Sequence, residues 1–307
     1  MKEILDCWGI HLKVDSEFNL FVISTSLHLF QVSLISRGTK KNVYVISDEL
    51  SGLYDFSLLL SGRCVFTSFQ DDYIALLKGV IWGRKRSAKI NLYICNQNHA
   101  ISSYFLNAYD VSQLILLDDG LVSYQLQSEK EKKLHNTFKY VVNSIFSLFG
   151  VKILSFGHGN NLKLPVGIRA KFVSLLNEFQ SSNEFLEVIP FSKFVEYGAA
   201  LEFIDEVIIN SGEKKYSSLS FLSYQQSIDD SRGESGMYTA EKVVKHPRIS
   251  KDRRPLIPYE FLIKGASEIF CGISSIYLVS KCFYGLDPVI VCKDEEQKKR
   301  LVMEALN

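Results

Sequence analysis

The sequence predicts an α/β fold in which parallel strands alternate with helices, arranged as two domains. Along most of the chain, apolar runs rich in β-forming residues are followed by segments of helical spacing, the pattern of strand–helix–strand units. The length of 307 residues exceeds that of an average domain, so two domains are expected. A hydrophobic content of 47% is enough to build a packed core in each.

The first series of strands and helices begins with "NLFVIST" (19–25), a continuous apolar run that predicts a buried strand. The next segment, "SLHLFQVSLIS" (26–36), places its large apolar residues at helical spacing and predicts a helix. The same alternation returns at 41–47, 88–95, 100–109 and 112–120. Because these runs lack a polar face, the sheet is expected to be parallel and covered on both sides.

Residues 126–150 join a charged half, "QSEKEKKLH", to an aromatic and aliphatic half, "FKYVVNSIFSLFG". Such a segment suits an amphipathic helix on a membrane surface or a helix packed on the sheet. Its ordinary core composition favours the sheet.

A polar stretch, "NSGEKKYSS" (210–218), predicts the linker between the domains. A second, shorter series of strands and helices follows and ends in "DEEQKKRLVMEAL" (294–306). That closing segment predicts a helix, because its acidic residues come first and its basic residues later. The predicted domains are 1–215 and 216–307, and the closing helix is free to pack back on the first domain.

The composition argues against several classes of protein. With 35 basic and 34 acidic side chains the net charge is +1, so no nucleic-acid partner is expected. The six cysteines form no C-x-x-C pair and no zinc-ligand spacing, which favours reduced thiols in the cytoplasm. Neither a signal peptide nor a membrane-spanning segment is predicted, since charged residues interrupt the apolar runs.

One candidate site lies at the end of "LILLDDG", where a strand runs into Asp118, Asp119 and Gly120. The carboxyl ends of strands in α/β sheets open onto the ligand crevice, so one carboxylate can serve as a general base there. The same three residues also make a good turn, and in isolation the turn is the stronger interpretation.

A second candidate is His246, which follows the predicted strand "EKVVK" and precedes Pro247. Proline alone would explain the end of a strand. However, Lys245 and Arg248 flank the histidine, so this strand end is locally positive and suits an anionic group.

A third candidate is "GISSIYLVS", in which Ser274 and Ser275 stand at the start of a predicted helix. Unpaired amides and two hydroxyls at that position make either a phosphate cradle or an ordinary helix cap. Glu260, in "IPYEFLI", is either an exposed first-turn acid or a carboxylate that binds the vicinal hydroxyls of a ribose. The P-loop, G-x-G-x-x-G and G-x-S-x-G motifs are missing from the sequence, so the chemistries they support are not expected.

In their order along the chain, these features resemble the motif set of bacterial sialyltransferases. The "DDG" at 118–120 is similar to the D/E-D/E-G motif, the "HP" at 246–247 to the HP motif, and the "SS" at 274–275 to the paired-serine motif. The opening "NLFVISTSLHLF" (19–30) resembles the first strand and helix of glycosyltransferase family 52, the lipooligosaccharide and capsule branch. The resemblance covers nearly the whole chain, although each motif is short.

The resemblance implies a GT-B fold, in which two Rossmann-like domains face each other across a cleft. It further implies that the acceptor binds mainly to the first domain and CMP-sialic acid mainly to the second. The anomeric carbon would be inverted without a metal or other cofactor. Departing CMP carries its own phosphate, so the enzyme must neutralise that charge while a base removes the acceptor proton.

The resemblance also assigns roles to individual residues. Asp118 would be the base and His246 the donor of a proton or hydrogen bond to the leaving phosphate. Ser274 and Ser275 would hold that phosphate, and Glu260 would bind the ribose. Asp119, Gly120, Lys245, Pro247, Thr25 and Ser26 would complete the binding site. The chain departs from the family at Ser26 and His28, where Pro and Gln are usual, and in the short loop that precedes "EKVVK".

The expected function is therefore a sialyltransferase that acts on a bacterial surface glycan, lipooligosaccharide or capsule, with a CMP-sugar donor and a glycan acceptor as its partners. The alternatives are a GT-B transferase for Kdo, another CMP-activated nonulosonic acid or a different nucleotide sugar, and a non-catalytic glycan-binding protein. The expected location is cytoplasmic. Peripheral contact with the inner face of the inner membrane and a homodimer are left open.

Overall fold

A computed structural model describes most of the predicted strand and helix positions. The described residues are 17–38, 41–69, 87–95, 100–120, 146, 148, 150–154, 164, 167–181, 183–222, 240–245, 256–272 and 274–291. Within them the chain is an α/β protein with two parallel sheets, so the α/β class predicted from the sequence is confirmed. The closing segment 294–306 and most of 126–150 lie outside the described residues.

The first sheet has seven described strands in the order β3-β2-β1-β4-β5-β6-β7, and all of its pairings are parallel. The strands are β1 (Phe18–Ile23), β2 (Asn42–Ser47), β3 (Arg63–Thr67), β4 (Lys89–Cys95), β5 (Asp110–Leu117), β6 (Ala170–Ser174) and β7 (Leu186–Pro190). The central strands are buried on both faces, which is the reason for their continuous apolar runs.

The chain builds this sheet outward in both directions from β1. The strands β2 and β3 lie on one side of β1, and β4 to β7 lie on the other. The strand order therefore reverses between β1 and β4. In open parallel sheets such a reversal leaves a crevice beyond the carboxyl ends of the strands, where ligands commonly bind.

The second sheet has four described strands in the order β11-β10-β8-β9, again with parallel pairings. These strands are β8 (Ser218–Phe221), β9 (Lys242–Val244), β10 (Glu268–Cys271) and β11 (Val289–Ile290). Each overlaps one of the runs that the sequence predicts as strands in the second series, namely "LSFLSYQ", "EKVVKHP", "SEIFCG" and "DPVIVCK". The stretch 210–218, predicted as a linker, connects the helix Tyr197–Asn210 to β8.

Six α-helices connect the described strands, some of them a single turn long. They are α1 (Ser26–Ile35), α2 (Phe56–Leu59), α3 (Ala100–Ala108), α4 (Tyr197–Asn210), α5 (Tyr259–Leu262) and α6 (Ser275–Leu278). A π-helical turn, Val279–Phe283, continues α6. None of the described helices combines the length and the apolar content that a membrane span requires.

Helix α1 lies where the two parts of the structure meet. Every residue from Leu27 to Ile35 is buried, so the helix is enclosed on all sides. Its Phe30 ring contacts Phe261 of α5 and Phe283 of the π-helical turn edge-to-face, with both centroids at 5.4 Å. Buried apolar residues of the two sheets thereby form one continuous cluster around α1.

Candidate functional site

The candidate site lies at the carboxyl edge of the first sheet. The segment Ser24–Ser26 joins β1 to α1, and Asp118–Gly120 follows β5. In the second sheet, Gly272 follows β10 and Ser274 precedes α6. Strand ends of this kind supply the ligand-binding loops of α/β proteins.

Asp118 is fully buried and its carboxylate is held by two backbone amides. The Gly120 amide donates to Oδ1 over 2.8 Å, and the Leu175 amide donates to Oδ2 over 2.9 Å. Leu175 follows the last residue of β6, so the side chain ties the loop after β5 to the end of the neighbouring strand. Asp118 therefore holds the loop after β5 in place, and its catalytic role stays a prediction.

Gln31 of α1 binds the backbone of Asp118 on both sides. Its Nε2 donates to the Asp118 carbonyl over 2.7 Å, and its Oε1 accepts from the Asp118 amide over 3.2 Å. The side chain is fully buried. Sequence reasoning missed this role, but a polar residue on the apolar side of a helix signals it, because buried polar groups must find partners.

Asp119 points toward His28, which is the second residue that sequence reasoning missed. His28 Nε2 lies 3.1 Å from Asp119 Oδ1, and the Asp119 side chain retains 6% exposure. On the other side of the ring, Nδ1 lies 3.1 Å from the hydroxyl of Ser24. The histidine ring is buried and stands between a hydroxyl and a carboxylate.

The contact between His28 Nε2 and Asp119 Oδ1 is a close approach rather than an aligned hydrogen bond. Within the part of the chain that the structure describes, Nε2 meets no hydrogen-bond partner at favourable geometry. Catalytic hydrogen bonds are commonly misaligned before substrate binds.

Gly120 brings the acidic loop against the second sheet's helix. Its φ of +78° belongs to the left-handed region, which glycine adopts without strain. A Cβ added there would lie 3.5 Å from Cβ of Ser275 and 3.5 Å from Cδ2 of Leu27. The "DDG" and "SS" segments, distant in sequence, are therefore neighbours in space.

Glu260 lies at a second contact between α1 and the C-terminal elements. The Ser26 hydroxyl donates to Glu260 Oε1 over 3.2 Å, and the Tyr284 hydroxyl donates to the Glu260 carbonyl over 3.0 Å. The residue is 1% exposed, and among the described residues Oε2 finds no partner. Burial raises the pKa of its carboxyl to about 7, against the lowering effect of its own backbone amide and Ser26.

The two serines and the π-helical turn surround the same region. Ser274 occupies the N-cap position of α6, but its hydroxyl accepts no capping hydrogen bond from the helix amides and instead donates to the Gly272 carbonyl over 3.3 Å. Burial, together with the nearby charge of Asp118, raises the pKa of the Cys282 thiol to about 11. The thiol is thus kept neutral beside the acidic loop.

The structure brings two pairs of the predicted residues into contact. Ser26 contacts Glu260 and Gly120 adjoins Ser275, whereas the Thr25 hydroxyl caps α1 by accepting from the His28 amide over 3.3 Å. Lys245 follows β9, two strands away from β10 in the second sheet. His246 and Pro247 lie outside the described residues, so their predicted roles are not tested.

No three His, Cys, Asp or Glu side chains in the described ranges come together as a group that could hold a metal ion. Comparison of the sequence with models of known protein families finds no match, and comparison with curated proteins finds no significant match either.

Proposed function

We propose that this protein is an inverting, metal-independent sialyltransferase. It would move sialic acid from CMP-sialic acid to a hydroxyl of a bacterial surface glycan, with its two parallel sheets as the two halves of a GT-B fold. The observation that carries the proposal is the contact of Gly120 with Ser275, which brings the acidic and paired-serine segments into one site.

The surroundings of that contact supply the groups that the reaction needs. A carboxylate must remove the proton of the acceptor hydroxyl. Asp118, the predicted base, and Asp119 directly precede Gly120 in the loop that adjoins α6. Hydroxyl and amide donors must receive the phosphate of departing CMP, and Ser274 and Ser275 stand at the start of that helix. Glu260 Oε2, unpartnered among the described groups, suits the hydroxyls of a ribose.

The remaining group is the acid that supports the leaving phosphate. His246 takes this role by its match to the HP motif, and Lys245 beside it adds positive charge. Lys245 directly follows β9, and the parallel pairing of the strands puts the ends of β9 and β10 at the same carboxyl edge of the second sheet. Positioning the donor and acceptor at facing strand ends would lower the entropic part of the barrier.

The first experiment asks whether the protein binds and uses a CMP-sugar. Thermal unfolding is measured with CMP, UMP, GDP and their sugars, and transfer is then followed as CMP release and as labelled product. CMP at 100 times its dissociation constant should stabilise the fold by about 2.7 kcal/mol. Transfer should continue in EDTA and be lost in His246→Ala.

Each outcome of that screen selects one reading. If CMP stabilises the protein but transfer occurs only from CMP-Kdo or another CMP-activated nonulosonic acid, the protein is a transferase of the proposed kind with a different donor sugar. Stabilisation by UMP or GDP alone would replace the donor class. A protein that binds glycans but neither binds nor consumes any nucleotide sugar would be a glycan-binding protein, and the proposal would be wrong.

A second candidate function follows from the order Ser24, His28 and Asp119. A histidine between a serine hydroxyl and a carboxylate resembles the triad of serine hydrolases, although the serine here contacts Nδ1 and the carboxylate Nε2, the reverse of the usual triad. Ser24 also stands at a strand-to-helix turn. The hydrolase hypothesis does not explain the contacts made by Gly120 and Glu260. A fluorophosphonate probe tests it, because stoichiometric labelling that is lost in Ser24→Ala would favour the hydrolase.

A further inference from the structure

We propose that His28 is a positioning residue that holds Asp119 in the orientation for proton removal, and that Asp119 rather than Asp118 is the base. The inference rests on the proposed transferase function and assigns the two adjacent carboxylates different tasks. It derives from the contacts of three side chains: Asp118, Asp119 and His28.

The first step concerns Asp118, whose two oxygens are both engaged. Oδ1 accepts from the Gly120 amide and Oδ2 from the Leu175 amide, and the residue has no exposed surface. Hydrogen bonds from amides favour the charged form of a carboxylate and so weaken it as a base. Moving Asp118 toward a substrate would also leave two buried amides unpaired.

The second step concerns Asp119, which is the partly exposed member of the pair. It directly precedes Gly120, the residue that lies against Ser275. Its carboxylate therefore belongs to the same loop that contacts the paired serines, where the donor phosphate is proposed to bind. A proton acceptor in this loop would lie near the proposed binding site of the donor phosphate, where the acceptor hydroxyl must also arrive.

The third step concerns the proton on the His28 ring. If the Ser24 hydroxyl donates to Nδ1, the ring carries its proton on Nε2 and presents an N–H to Asp119. The opposite tautomer would place a lone pair against the carboxylate. With Ser24 as the donor, the ring therefore adopts the tautomer that attracts Asp119, and its N–H lies close enough to Oδ1 to orient the carboxylate.

The resulting reaction step balances. The acceptor O–H proton moves to Asp119 as the acceptor oxygen forms its bond to the anomeric carbon. The bond from that carbon to the phosphate oxygen breaks, and its electron pair leaves with CMP. His28 keeps its proton throughout, because its task is to orient the base rather than to accept the proton.

The alternative is that His28 only fills the core of α1. Two variants separate these roles: His28→Gln keeps an N–H donor within reach of Asp119, whereas His28→Leu removes it at similar bulk. A positioning role predicts that His28→Leu lowers kcat by about 100-fold with the Kd for CMP unchanged. His28→Gln should restore most of that loss, and a purely structural role would affect both variants through stability alone.

The base itself is tested by Asp119→Asn, which should lower kcat by about 100-fold to 10,000-fold with CMP affinity preserved. Ring ¹⁵N chemical shifts of His28 should show the Nε2–H tautomer, and Ser24→Ala should mix the two tautomers. This readout does not depend on whether His28→Leu folds, so a protonated Nδ1 in wild-type protein would overturn the inference.

The outcomes separate this inference from the proposed function. If wild-type protein neither binds CMP nor transfers any CMP-sugar, the proposed function fails and the inference fails with it. If wild-type protein is active but Asp119→Asn or His28→Leu keeps its kcat within about twofold, only the assignment of base and positioning residue is wrong.

Discussion

Ser26 at the start of α1 donates a hydrogen bond to Oε1 of Glu260 on α5 over 3.2 Å. This contact links the helix that follows the first strand to an element of the C-terminal region. It also buries a carboxyl group, because Glu260 is 1% exposed. Burial raises the pKa of this carboxyl from 4.5 to about 7, so its charge depends on pH in the neutral range.

Stability is therefore expected to fall as the pH rises through the titration of Glu260. The carboxyl binds its proton more tightly in the folded than in the unfolded chain, so its contribution is fully present below pH 4.5 and lost on approaching about pH 7. The shift of the pKa corresponds to a loss of about 3 kcal/mol. Glu260→Gln should remove this dependence, because the amide stays neutral throughout.

Urea unfolding at pH 5 and pH 8 measures the effect. Glu260→Gln should gain stability relative to wild-type protein at the higher pH and much less at the lower. Glu268→Gln, an exposed glutamate at the start of β10, is the matched control and should leave the difference unchanged. An equal pH dependence in wild-type protein and Glu260→Gln would contradict the expectation.

Asp118→Asn is expected to destabilise the fold. The amide keeps one acceptor oxygen but turns an NH₂ group toward one of the two backbone amides, so a buried donor faces a donor. The expected cost is about 3 kcal/mol in the free energy of unfolding. Chemical denaturation checks this value, with Asp110→Asn as control, since Asp110 is exposed at the other end of β5. A change of similar size in both variants would argue against the structural role.

Gly120→Ala is expected to separate stability from ligand binding. Gly120 and Gly38 have nearly the same positive φ, +78° and +76°, so each alanine variant should lose about 1 kcal/mol of stability. Only the methyl group at Gly120 would occupy the space beside Ser275, whereas the position at Gly38 is open. The affinity for CMP should thus fall in Gly120→Ala and stay unchanged in Gly38→Ala. Calorimetric titration of both variants with CMP measures the difference.

Part of the fold followed directly from local patterns. The buried strands β1, β4 and β5 and the helix α1 were predicted, because their apolar runs are long and their spacing is regular. The strands β6 and β7 and the helix α4 were not anticipated. Both strands are short, and a charged residue interrupts each apolar run, Lys171 in β6 and Glu187 in β7. The pairing of β6 with β5 and of β7 with β6 also depends on segments that are distant along the chain.

The candidate site divides in the same way. Asp118, Asp119 and Gly120 could be selected from the end of an apolar strand, and the structure places the last of these against Ser275. Gln31 and His28 were not selected. A polar residue in an apolar helix signals that it needs a buried partner, but it does not say which partner. Their partners become visible only when the loop after β5 is folded against α1.

The sequence by itself determined the alternation of strands and helices, since side-chain periodicity is a local property. It also determined which residue types stand at the ends of the strands. Only the tertiary structure decided how the two adjacent carboxylates differ. Asp118 is held by the amides of Gly120 and Leu175, and Asp119 faces His28, because hydrogen-bond partners are supplied by segments that are distant along the chain and close only in the folded molecule.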